Sequence, residues 1–219
     1  MSVQDLGMDA QAAVMDPADD VRYDRIEVRP LDRQFGAHPA LSIPPGMSEI
    51  VFGRVNGSDP APLTYALFDA ARVEGLSERL VAAAIPHDCL VRGPSRDEFG
   101  AVSPWLVELR ADSRLCRDLF TAGDARWELW GREAYVLMRS HHELAGLVDH
   151  LRHFTKLRDS KGQWHFFRFQ EPLVMRTIVM GLPDHARRSF LAPFQRVIVP
   201  DRSDVLHLFD IRFDGVSGR

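Results

Sequence analysis

Beyond the breaker cluster Asn56-Gly57-Ser58-Asp59-Pro60-Ala61-Pro62, short apolar segments alternate with helical patterns, and this alternation limits the fold more than any other feature of the chain. Leu63 to Phe68 reads as a buried strand ending at Asp69. A helix through Leu76, Leu80, Val81 and Ala84 follows until Pro86 stops it. Cys89-Leu90-Val91, Trp105 to Leu109 and Ala134 to Met138 read as further strands, and Asp112-Ser113 can cap a helix carrying Leu115, Leu119 and Phe120. The pattern predicts an α/β fold: a mixed or mostly parallel sheet of short strands flanked by helices. A smaller helical C-terminal lobe is expected, and Arg196 to Val199 with Val205 to Phe213 can close as a terminal hairpin. We divide the chain into an N-terminal extension (1–60), a core domain (61–195) and a C-terminal hairpin and tail (196–219).

The extension begins with an acidic tail whose only helical stripe is Leu6, Ala10, Ala13 and Val14. Arg25 to Arg29 alternates polar and apolar as an edge strand does, and Glu49 to Val55 reads as a second strand. In the core domain the clearest helix spans His141 to Phe154, with Ser140 as N-cap and Glu143 completing a capping box. Its apolar stripe is Leu144, Leu147, Val148, Leu151 and Phe154, which leaves His142, Asp149 and His153 facing out. Asp159-Ser160-Lys161-Gly162 turns into the aromatic strand Trp164 to Phe169, expected to be covered on both faces. Pro172 then opens a helix that Gly181 ends, and Pro183 starts a shorter one.

Composition removes several classes of function. The 219 residues carry 27 basic and 31 acidic side chains, a net charge of −4, which disfavours binding held by phosphates, so no nucleic-acid partner is expected. No apolar run approaches the ~18 residues a membrane helix needs. The first twenty residues hold five aspartates and no Lys or Arg, unlike a secretory signal, and the expected compartment is the cytoplasm. Cys89 and Cys116 lack the paired spacing of a zinc site and read as small buried hydrophobes.

A catalytic constellation is equally hard to find. His141, His142, His150, His153 and His165 cluster in sequence, yet His142 and His153 lie about 16 Å apart along a helix axis and cannot share an ion. Asp149 and His153, at i and i+4, supply two ligands without an obvious third. Neither HExxH, GxSxG, a phosphate loop nor GxGxxG occurs. The expectation is a protein that is not an enzyme and uses no cofactor or metal.

Five segments in order resemble one family. They are Tyr65 to Arg72, His87 to Gly93, Ser103 to Leu109, Met138-Arg139-Ser140 with His150 to Phe154, and Phe166 to Pro172. Together they look like the adaptor chaperones of bacterial type VI secretion, catalogued as domain of unknown function 4123, over roughly Leu63 to Phe194. The serine followed by a His-Leu-Arg helix and the aromatic-Arg-Phe strand leading to an acid and a proline are the most specific parts. The resemblance implies a non-enzymatic adaptor that binds a secreted toxic effector and loads it onto the VgrG-type spike. Gln170-Glu171 stands where the family usually has an aromatic and Asp, and Leu173 where it often has Arg.

Asp69, Arg139, Arg168, Glu171, Pro172 and Arg176 are the candidate residues, for partner contact or for ion pairs that fix the fold. Two other readings stand beside the adaptor. One is a metal-dependent hydrolase using Asp149 and His153 with His87 or His165. The other is an immunity-type protein that binds and blocks a toxin.

Overall fold

The computed structural model describes residues 20–158 and 161–213. The stripe of Leu6, Ala10, Ala13 and Val14, the Asp159-Ser160 half of the expected turn, and the tail from residue 214 lie outside the described residues. In chain order the elements are β1 (Val21–Glu27), α1 (Ser48–Phe52), β2 (Leu63–Asp69), α2 (Leu76–Ala82), β3 (His87–Cys89), α3 (Pro94–Phe99), β4 (Pro104–Leu109), α4 (Arg114–Phe120) and β5 (Tyr135–Ser140). Then come α5 (Leu144–Arg152), β6 (Lys156–Arg158), β7 (Trp164–Phe166), α6 (Pro172–Gly181), α7 (Asp184–Leu191), β8 (Arg196–Pro200) and β9 (Val205–Ile211). No helix among the described residues is long and apolar enough to cross a membrane.

Helices on a sheet of short strands is the α/β arrangement that the alternation predicts. The sheet has seven strands in the order β1-β9-β8-β5-β2-β4-β3, and β6 and β7 form a separate two-stranded ribbon. Every ladder between these strands is antiparallel, so the expected mixed or mostly parallel pairing is corrected. The reason lies in the crossovers. β2 and β3, joined through α2, run the same way but have β4 between them; β4 and β5, joined through α4, run the same way with β2 between them. A strand-helix-strand rhythm in sequence is therefore compatible with antiparallel neighbours when the crossover skips one position, as in split βαβ units.

β2 shows why helices cover both faces. Tyr65 and Leu67 join one buried cluster with Leu147, Val148 and Leu151 of α5, Ile178 of α6 and Phe190 of α7. Ala66 and Phe68 point the other way, into a second cluster with Val51 of α1, Leu80 of α2 and Leu119 of α4. A strand buried on both faces reads as a continuous apolar run, which Leu63 to Phe68 is. β8 and β9 form the expected hairpin, and β9 pairs in turn with the edge strand β1.

Three local expectations are overturned. Glu49 to Val55 is not a strand but holds the short helix α1, which turns Val51 into the core. Ser140 is not an N-cap: it ends β5, fully buried, and its hydroxyl donates to the Pro193 carbonyl at 2.6 Å while accepting from the His142 amide. Helix α5 starts later, behind Glu143. The aromatic run is not a strand covered on both sides. Only Trp164, His165 and Phe166 are in β7, all exposed, whereas Phe169 beyond it is fully buried. A two-stranded ribbon cannot bury both of its faces. Ser113 does cap α4 as predicted, its Oγ accepting from the Cys116 amide at 3.1 Å.

Candidate partner-binding groove

Three stretches distant in sequence meet at the β3 end of the sheet and enclose a groove of about 490 Å³. One wall is Val91, Arg92 and Phe99, from the turn after β3 and from α3, with Val102 leading into β4. Arg152 and Lys156, at the end of α5 and the start of β6, form the second. Phe166, Phe167, Arg168 and Gln170 form the third.

Arg152 ties the first two walls together. Its guanidinium donates to the Cys89 carbonyl at 2.7 Å, to the Leu90 carbonyl at 3.3 Å and to the Asp88 carboxylate at 2.9 Å, strapping α5 to β3. Asp88 also accepts from Arg96 of α3 at 3.2 Å, and Arg96 lies 5.2 Å over the Trp105 ring. Asp149, one turn before Arg152, pairs with both Arg152 and Arg92. Such charge-assisted bonds to several carbonyls and carboxylates suit the fixed fork of arginine.

The ribbon supplies the third wall. Leu157 is buried beneath it, and the Phe167 amide donates to the Thr155 carbonyl at 3.0 Å. Lys156 faces Phe166 across the register, its Nζ 5.5 Å from the ring, and Arg158 faces Trp164 in the same way at 5.9 Å. Trp164 and Phe166 remain 61% and 74% exposed, with Phe99 and Val102 about half exposed opposite. Gln170 is buried, and its Oε1 has no hydrogen-bond partner among the described residues.

Three of the sequence-predicted residues converge under this groove. Arg168 donates to Asp69 Oδ2 at 2.9 Å and also pairs with Glu171. Asp69, fully buried at the end of β2, has Arg72 at 3.4 Å as a second partner. The hydrogen bond to Glu171, with Asp69 adding to it, raises the Arg168 pKa further, so this guanidinium is permanently charged. Pro172 is the buried first residue of α6, and Arg176 is half-buried on that helix, outside the cluster. Arg139 is not with them. It is buried in β5 and donates to the carbonyls of Ile50, Gly53 and Pro62 at 3.3, 2.5 and 2.8 Å, so its partners are backbone rather than a carboxylate.

The histidines are dispersed. His153 is exposed, His150 Nε2 donates to the Phe190 carbonyl at 2.9 Å, and His87 Nδ1 donates to the Ile85 carbonyl. Burial lowers the His150 pKa and favours its neutral form. Among the described residues no group of three or more His, Cys, Asp or Glu side chains is placed to hold a metal ion.

Sequence reasoning missed Asp88, Arg92, Lys156, Phe99 and Val102. The signal for the ribbon was present in Lys156, Arg158, Trp164 and Phe166, aromatics alternating with cations across a turn, but a run of aromatics ordinarily means core. A family model described as Domain of unknown function (DUF4123) matches residues 64–189. Comparison with curated proteins and with solved structures found no match.

Proposed function

This chain belongs to the DUF4123 family, and from that premise we propose that it is a non-enzymatic adaptor chaperone of type VI secretion. In this reading it binds a toxic effector in the cytoplasm and hands it to a VgrG-type spike. The observation that carries the reading is the composition of the groove. Four of the five segments with the family resemblance line it, and the fifth supplies Asp69 beneath it. What they line is an open trough of exposed apolar side chains, held by ion pairs whose carboxylates are already engaged. Exposed apolar surface with a charged rim is the chemistry of a protein contact.

Co-expression with the products of neighbouring genes, followed by affinity capture and size-exclusion chromatography with light scattering, tests the proposal. The expected result is a stable complex with one large neighbour and a further complex that includes a spike protein. A chain that elutes alone with every neighbour overturns it. A partner whose toxicity is suppressed without any contact to the spike replaces it with the immunity reading.

A further inference from the structure

We propose that the groove takes an acidic segment carrying apolar anchors: an extended or helical stretch of the effector in which Asp or Glu flanks bulky aliphatic or aromatic side chains. The inference rests on the adaptor reading and names what the adaptor recognises. Two independent features point to it. First, the ionisable side chains lining the groove are Arg92, Arg152, Lys156 and Arg168, all basic. The carboxylates that balance three of them, Asp88, Asp149 and Asp69, are not part of its lining, and among the described residues the Lys156 ammonium has the Phe166 ring as its partner. Second, Phe166 projects from one side and Phe99 and Val102 from the other, so an occupant's apolar side chains would be gripped between them. Gln170 lines the floor between them, and its buried amide oxygen has no hydrogen-bond partner among the described residues.

A single-stranded nucleic acid is the competing occupant for an aromatic and basic surface. It fits less well here. Phosphates every few ångströms call for several unpaired cations, whereas Arg152 and Arg168 are committed to carboxylates, and half of the apolar wall is aliphatic.

Fluorescence anisotropy with the full chain decides the matter. The probes are three labelled synthetic peptides: one alternating Glu with Leu and Phe, one with Lys in place of Glu, and one with Ser in place of Leu and Phe. A labelled oligo-dT is the fourth probe. The acidic apolar peptide is expected to bind at least about tenfold more tightly than the others and to weaken as salt rises from about 50 to about 300 mM. Lys156→Glu and Phe166→Ser should each cost it about tenfold, with thermal unfolding unchanged because both side chains are exposed. Equal binding of the Lys peptide, indifference to both substitutions, or tighter binding of oligo-dT overturns the inference. So does a large gain in affinity on deleting residues 1–19, which would make the chain's own acidic start the occupant. Effector capture by the Lys156→Glu, Phe166→Ser double variant at the wild-type level sinks the groove while leaving the adaptor standing. Failure of the wild-type chain to capture any neighbour sinks the adaptor instead.

Discussion

Arg168 and Asp69, ninety-nine positions apart in sequence, lie 2.9 Å from one another, and the carboxylate has no exposed surface at all. The pair joins the end of a central strand to the loop that opens α6, so it fixes the floor of the groove to the sheet. Asp69 Oδ1 has no hydrogen-bond partner among the described residues, which leaves the carboxylate dependent on Arg168 and the more distant Arg72.

Arg168→Ala should therefore destabilise the fold by about 2 kcal/mol, below the cost of breaking a fully buried pair because the arginine itself is half exposed. Urea denaturation measures this directly. Asp69→Asn combined with Arg168→Met should be less harmful than Arg168→Ala alone, since no uncompensated charge remains. A double variant as unstable as the sum of its parts would show that the two groups do not depend on one another.

Arg139 supports α1 and the loop before β2 in a different way. Burial, with Arg196 nearby, pulls its pKa down to about 10, still far above neutrality. Replacing it with Met leaves the Gly53 and Pro62 carbonyls without this donor, while Ile50 keeps Arg196, a loss of about 3 kcal/mol. Hydrogen exchange should then speed up in residues 48–55 before it does in β5. Unchanged protection there would rule out the strapping role.

These two arginines show how far the sequence could be read. Asp69 and Glu171 stood out at strand or loop ends, and Arg168 on or beside a strand, as candidates for ion pairs between segments, and the structure brings the three together. Arg139 stood out for the same reason, yet its partners are carbonyls of a segment whose Glu-Ile-Val-Phe pattern reads as strand. Local propensity favoured extension there, and the burial of Val51 against the sheet decided otherwise. The central strands β2, β4 and β5, with α6, α7 and the closing hairpin, were legible from apolar periodicity, because that signal is local. The groove was not, since its walls come from residues near 91, 99, 152 and 166, and nothing in a linear pattern reports that they meet.

Acid stability has an identifiable contributor. Burial alone would raise the Asp201 pKa, but hydrogen bonds from His207 and from the side chain and backbone of Ser203 bring it down to about 2. His207 carries its proton on Nε2 toward Asp201 at 2.9 Å, and its Nδ1 accepts from the Tyr23 hydroxyl at 2.9 Å. The folded pKa lies below the ordinary 3.8, so the stabilisation is complete above about pH 4 and is lost as pH falls toward 2. Asp201→Asn should lower stability by about 2 kcal/mol at neutral pH and flatten the loss between pH 4 and 2. A variant with the wild-type acid profile would remove Asp201 from the account.

Both cysteines should be silent in the native state. Burial pushes the Cys116 thiol up to about 12, with Asp112 adding to the shift, and burial raises Cys89 as well. Ellman's reagent at neutral pH is expected to label neither thiol until denaturant is added, and then both. Rapid labelling of either one in buffer would contradict the packing around it.

The aromatic run separates core from contact surface within six residues, and substitution can read the division. Phe169 is fully buried and meets Phe190 and Phe167 edge-on at 5.4 and 5.9 Å. Phe169→Ala should cost about 4 kcal/mol through lost burial and the cavity left behind. Phe166 is three residues earlier and 74% exposed, so Phe166→Ser should change stability by less than about 0.5 kcal/mol. The same substitution removes the ring that faces Lys156, and with it the apolar lip of the groove. Partner capture should therefore drop for Phe166→Ser at undiminished thermal stability. Phe169→Ala restored to a folded state by low temperature should still capture. If Phe166→Ser instead unfolds the chain, the ribbon is part of the core and the groove loses its third wall.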